Sequence, residues 1–172
     1  MGDCCSVPKQ SPTESASLCA ECGAKGRSVE RRTVLHHVKS ELLSRVSDDA
    51  YRFCPAPACA VVYYGTRGAV FTVNDVRELV TAKANGDARP LCYCFGFAEG
   101  DIRREITQTG ETRIPSQIGQ FIKEKICACE IRNPSGACCL GEVNKAVKRL
   151  SISDKESLDL ELGVSLKKEG AV

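Results

Sequence analysis

Twelve cysteines set the chemistry open to this chain, and they fall in six close pairs: Cys4/Cys5, Cys19/Cys22, Cys54/Cys59, Cys92/Cys94, Cys127/Cys129 and Cys138/Cys139. Thiolates three residues apart on a turn converge on one metal ion. A Cys-x-Cys or Cys-Cys pair is strained as an internal disulfide and needs distant partners instead. The ten cysteines after Ser6 suffice for two four-thiolate sites. An even count also permits a secreted disulfide framework, but Met1 to Ser17 has neither a basic n-region nor an apolar h-region, and Val7 to Ser17 is rich in Pro, Ser and Thr. No signal peptide is readable there. No apolar run reaches the roughly 18 residues of a membrane span. The sequence therefore predicts a cytoplasmic protein without membrane insertion, where clustered cysteines bind metal more often than they form disulfides.

Other functional classes find little support. The balance of 24 basic against 22 acidic residues leaves a formal charge of +2, too weak to imply a nucleic-acid partner. Neither His36 nor His37 sits in a Ser/His/Asp or Cys/His arrangement, no Gly-rich phosphate loop follows a strand, and no helix carries His-Glu-x-x-His. No enzyme is expected. The length of 172 residues allows one ordinary domain or two small ones, each with a thin core stapled by metal.

The elements that must position the thiols follow from pattern. Residues 1–17 lack apolar periodicity and read as a mobile tail carrying Cys4 and Cys5. Residues 18–88 read as a β-rich metal-binding subdomain. Cys19-Ala-Glu-Cys22-Gly23 is a tight knuckle closed by a glycine able to take positive φ. Val34, Leu35, Val38, Leu42 and Leu43 have the spacing of a short amphipathic helix. Phe53-Cys54-Pro-Ala-Pro-Ala-Cys59 followed by Val61-Val62-Tyr63-Tyr64 predicts a strand, a metal-binding turn and a returning strand, with Ala69–Thr72 as a third strand. Cys19/Cys22 and Cys54/Cys59, with 31 residues between the pairs, close a four-cysteine site suited to zinc. Thr72-Val-Asn-Asp75 reads as the start of a further helix through Val76, Leu79 and Val80, ended by Gly86.

Residues 89–150 read as a helical module, with apolar periodicity over Asp101–Thr109, Ser116–Ile126 and Leu140–Leu150. Residues 151–172 read as a second mobile tail with at most a nascent strand at Leu158–Val164. The fold class is therefore α+β: a small β-rich subdomain followed by a helical one. Cys92-Tyr-Cys94 precedes the helices, while Cys127-Ala-Cys129 and Cys138-Cys139 flank the turn Asn133-Pro-Ser-Gly136. A diiron cluster needs four thiolates, two per iron, and two such loops side by side supply them. Cys139 opens the last helix, where free N–H groups favour a thiolate.

The ordered series Cys19-x-x-Cys22, Thr33-Val-Leu-His-His-Val-Lys39, Phe53-Cys54-x4-Cys59, Val61-Val62-Tyr63-Tyr64, Cys92-Tyr-Cys94 and Cys129-x3-Asn133-Pro-Ser-Gly136-x-Cys138-Cys139 resembles the CopZ-type iron–sulfur metallochaperones. Their N-terminal module joins a zinc-binding subdomain to a helical [2Fe-2S] subdomain similar to bacterioferritin-associated ferredoxin. Carried onto this chain, the resemblance implies zinc (Zn2+) on Cys19, Cys22, Cys54 and Cys59 and a [2Fe-2S] cluster on Cys92, Cys94, Cys129 and Cys139. Cys127 and Cys138 remain alternatives to Cys129 and Cys139 as ligands.

The resemblance also implies copper handling with a redox-active cluster, and a metal-transport or redox protein as partner. The usual copper-binding domain carries a Met-x-Cys-x-x-Cys loop, whereas the only methionine here is Met1. That domain is expected to be missing, and a copper(I) (Cu+) site falls to Cys4/Cys5. Two other readings stand beside this one: a one-electron carrier or cluster-based sensor that never handles copper, and a double zinc-ribbon interaction module. His36 and His37 read as helix or surface residues with zinc ligation as the alternative. Lys123, Lys125, Lys145, Lys148 and Arg149 read as a solvated face that alternatively steers an acidic partner.

Overall fold

The computed structural model describes residues 17–161, with side chains to residue 152. The chain divides into two compact units, one running to Lys83 and including Pro134–Gly136, the other comprising Ala84–Asn133 and the segment from Ala137 onward. The architecture is α+β, an antiparallel sheet in the first unit and helices in the second.

In the first unit, β1 (Arg27–Val29), β2 (Tyr51–Phe53), β3 (Val61–Gly65) and β4 (Val70–Thr72) form an antiparallel sheet in that order. The register pairs Arg27 with Phe53 and Phe53 with Tyr63. Cys54 thus leaves the end of β2, and its N–H donates to the Val62 carbonyl at 2.9 Å. Helix α1 (Arg31–His37) and a 3-10 turn (Ser40–Arg45) cover the sheet. Their apolar residues join Tyr51, Phe53, Val62, Tyr63 and Phe71 in the core.

The helix expected over Val34–Leu43 is broken at Val38, whose backbone is extended (φ −68°, ψ 138°). Val38 forms an antiparallel bridge with Val76. The same bridge accounts for a second departure: no helix begins at Thr72. Asp75 turns its carboxylate back to accept from the Thr72 N–H and hydroxyl at 2.7 and 2.8 Å, which ends β4 in a turn. The Lys39 N–H then donates to the Asp75 carbonyl and the Arg77 N–H to the His37 carbonyl. Two residues with the spacing of a helix face, Val76 and Val80, are instead buried in the sheet's core from irregular backbone.

The second unit opens on the hairpin of β5 (Pro90–Cys92) and β6 (Phe97–Ala98). Helix α2 (Glu99–Thr109) follows, with the Asp101 carboxylate accepting from the Ala98 N–H at 2.8 Å as an N-terminal cap and Gly110 in the left-handed region closing its end. Next come α3 (Ile114–Lys123), the single turn α4 (Cys129–Arg132) and α5 (Leu140–Glu161). Ile102, Ile106, Ile114, Ile118, Val143 and Leu150 meet Leu91 in one apolar core. The last helix does not stop at Leu150: its backbone stays helical to Glu161, where a tail with a nascent strand was expected. Residues 162–164 of that expected strand lie outside the described residues, as do Cys4 and Cys5.

Gly26 marks the tightest point beside the first knuckle. Its N–H donates to the Ser17 carbonyl at 2.9 Å, and a Cβ placed there would meet the Tyr64 hydroxyl and approach its ring carbon Cζ at 2.8 Å. Tyr64 itself donates to the Ser17 carbonyl at 2.7 Å. Gly26→Ala is expected to destabilise the first unit by about 1–3 kcal/mol, the range for overpacking. Urea denaturation of the metal-loaded protein checks this, and Tyr64→Phe in the same background should recover part of the loss.

Candidate metal centres

The first knuckle is built by local geometry. The Gly23 N–H donates to the Cys19 carbonyl at 2.8 Å and the Cys19 N–H to the Ala24 carbonyl at 2.9 Å, with Gly23 at φ 71°. Few side chains other than glycine accept that φ. The second knuckle is the loop after β2, closed by the Cys59 N–H donating to the Ala56 carbonyl at 3.2 Å. Together they gather the sulfurs of Cys19, Cys22, Cys54 and Cys59 within 4.8 Å of one another. The Cys19–Cys59 separation is 4.0 Å and the Cys22–Cys54 separation 3.6 Å. Zn–S bonds of about 2.3 Å in a tetrahedron give edges of about 3.8 Å. The two printed edges lie close to that value, and the set as a whole suits a single tetrahedral ion.

Burial raises the Cys54 thiol to about 12 and also pushes Cys59 up. The exposed Cys22 is lowered by the hydrogen bond it accepts from the Ala24 N–H. Metal-free, burial thus favours the neutral thiols of Cys54 and Cys59, and a divalent cation is what makes four thiolates tolerable there. His36 and His37 are outside this group of four. His37 is buried in α1, with its ring 6.4 Å from that of Tyr63.

The second unit brings Cys92, Cys94, Cys129 and Cys139 onto one apolar surface. Cys92 ends β5, Cys94 sits in the hairpin turn, Cys129 starts α4, and Cys139 precedes α5, whose first N–H groups bond back to its carbonyl. The Cys94 and Cys129 sulfurs are 3.8 Å apart, and the Ala128 N–H donates to Cys94 Sγ at 3.4 Å. The Cys139 thiol hydrogen-bonds to both Cys129 and Cys92, lowering Cys129 to about 5 and Cys92 to about 7 while its own proton is held more tightly. Burial raises Cys94 to about 11. Among the described residues these four do not share the mutual 4.8 Å closeness of the first set. Two thiolates on each of two irons need that wider spread. Cys127 is half-buried and hydrogen-bonded to Cys129, whereas Cys138 is exposed.

An ion cage stands behind this set, and no sequence pattern announced it. Glu99, with its side chain 6% exposed, accepts from Arg89 at 3.2 Å and Arg149 at 2.6 Å. Arg89 also reaches Glu142 at 3.4 Å. Arg89 lies three residues before Cys92 and Glu142 three after Cys139, so the cage joins the segments bearing both. Arg149 and Lys145, read from sequence as a solvated or partner-steering face, are paired with Glu99 and Glu142 instead.

A family profile described as a zinc-binding domain, zf_CopZ, matches residues 16–77. Copper chaperone CopZ of Archaeoglobus fulgidus is 32% identical over 144 residues, covering 78% of this chain and 68% of that protein. The X-ray structure of the Archaeoglobus fulgidus CopZ N-terminal domain superposes with a TM-score of 0.62 at 28% identity, covering 74% of this chain and 95% of that one. Among the described residues, no helix is long and apolar enough to cross a membrane.

Arg89→Met is expected to destabilise the second unit by about 2 kcal/mol, below the roughly 3–5 kcal/mol of an abandoned buried charge because Arg149 still faces Glu99. Urea denaturation read through amide exchange in α2 and α5 measures it. Burial opposes ionisation of Glu99, but its bonds from Arg149 and Arg89 outweigh that and hold it below the ordinary value of 4.5. Its stabilisation is complete above that value and lost as pH falls through the lower folded one. The variant should therefore lose less stability on acidification than the parent.

Proposed function

Because the chain belongs to the CopZ family, we propose that it is a copper-handling metallochaperone with structural zinc in its first unit and a redox-active [2Fe-2S] cluster in its second. The observation that carries this reading is the contrast between two four-cysteine sets, one gathered within 4.8 Å as a single ion requires, the other more widely spread around Cys139.

Cys19, Cys22, Cys54 and Cys59 hold the zinc, which joins the knuckle to the sheet. Cys92, Cys94, Cys129 and Cys139 hold the cluster. When bound, the cluster supplies one reversible electron, the quantity that takes copper(II) to the copper(I) favoured by thiolates. The chain's own residues prepare that site. The Cys139 thiol lowers Cys129 and Cys92, which favours the thiolates that ligation requires. The Ala128 N–H bond to Cys94 orients that sulfur. Leu91, Ile102 and Val143, all buried beside these cysteines, limit water access. Copper(I) is assigned to the Cys4/Cys5 dithiolate, and the recipient is a metal-transport or redox protein. No catalytic turnover is assigned to the chain.

Anaerobically purified protein is expected to contain two irons, two sulfides and one zinc per chain, by metal and sulfide analysis with an absorption spectrum. Cys54→Ser should lose zinc and keep the visible bands. Cys129→Ser should bleach them, whereas Cys127→Ser should retain most of the colour. A colourless protein with two zinc ions would replace this reading with a double zinc-ribbon module.

Reduced, cluster-loaded protein should convert copper(II) to copper(I) with about one electron per cluster, followed with a copper(I)-specific chelator. Cluster-free protein with its zinc intact is the comparison, since thiols also reduce copper. Cys4→Ser/Cys5→Ser should preserve the reduction and lose bound copper(I). Equal reduction with and without the cluster would assign the electron to cysteine.

A further inference from the structure

The zinc-binding-domain match ends at residue 77, but a charged group from beyond it reaches the loop between Cys54 and Cys59. Lys83 donates from Nζ to the Ala56 carbonyl at 2.6 Å, in the loop between Cys54 and Cys59. The side chain is partly buried and its base is held: the Lys83 N–H donates to the Val80 carbonyl at 2.8 Å, and Val80 is 3% exposed in the sheet's core. Ala56 itself packs against the cluster of Cys19, Cys54 and Cys59. The ammonium group is therefore delivered from a fixed stem to the loop that carries half the ligands.

Four thiolates around a divalent cation leave a net charge of −2 on a half-buried site. A cation held beside one ligand loop offsets that charge, and in a partly desolvated position the offset is larger than in water.

We infer that Lys83 is the counter-cation of the zinc site, orienting the Cys54–Cys59 loop through the Ala56 carbonyl and balancing the charge of the loaded tetrathiolate. It is a positioning residue, acting through the ligands rather than touching the metal. Its presence also makes the segment after residue 77 part of the metal site and more than a connection between units. This inference rests on the zinc reading above.

The test uses the full chain loaded with one zinc ion and measures zinc affinity by competition with a chromophoric chelator. Lys83→Met removes charge and donor together, Lys83→Gln keeps an uncharged donor, and Lys83→Arg keeps both. Affinity should fall about 10- to 100-fold in the Met and Gln variants, as for other outer-shell partners of metal ligands, while Arg stays within about threefold of the parent. The gap should narrow in about 1 M salt, where the Debye length shrinks to about 3 Å. If the Met variant fails to fold, the Gln–Arg comparison carries the same decision. Parental affinity in Lys83→Met, or rescue by Gln as complete as by Arg, overturns the counter-cation role while leaving the zinc site standing. A parent protein that takes up no zinc, with Cys54→Ser unchanged from it, overturns the zinc reading and this inference with it.

Discussion

Four cysteine sulfurs within 4.8 Å of one another can all be ionised only around a cation, and the first unit is organised by that repulsion. Burial makes the problem sharper, since it favours the neutral thiols of Cys54 and Cys59. The apolar group at this end of the sheet has five buried residues, and three of them are cysteines. Metal coordination thus stands where a larger domain would place more hydrocarbon. The sheet supplies geometry: Cys54 leaves β2 at the point where its partner β3 returns, so sheet register and ligand spacing are set together.

The second unit solves its charge problem differently. Eleven buried residues form its core, so α2, α3 and α5 have apolar reason to pack in addition to any bond through sulfur. The Cys139 thiol lowers both Cys129 and Cys92, while its own proton is held more tightly. Behind it, Glu99 is kept ionised by flanking arginines, and Arg89 couples the strand bearing Cys92 to the helix that follows Cys139. A buried carboxylate without those arginines would cost several kcal/mol. The cage therefore constrains which arrangements of β5 and α5 are allowed, and through them two of the candidate ligands.

The errors of pattern reading cluster where tertiary contacts override local preference. Val76 and Val80 have helical spacing, but the bridge from Val76 to Val38 and the turn held by Asp75 draw that segment into extended and irregular backbone. Val38 is the other half of the same event, and it ends α1 early. At the opposite end, α5 runs on through Ser151 because nothing in Ser151–Glu161 breaks a helix, although its charge alternation resembles a tail. Lys83 and Arg89 carried no signal at all. A lone lysine or arginine in a turn-rich stretch takes its meaning from the carbonyl or carboxylate that folding places opposite it.

The chain's local composition by itself determined the α+β order of the elements and the close spacing of the cysteines in pairs, which turns impose locally. It also located the strands around Cys54 and Cys59, where β-branched and aromatic residues alternate with a proline-bearing loop. Only the tertiary structure decided which sulfurs approach one another, that Cys139 acts on two of them, and that Lys83, Arg89 and Glu99 find their partners. Those decisions join residues tens of positions apart, and their energies arise from burial and charge, which exist only once the chain has closed on itself.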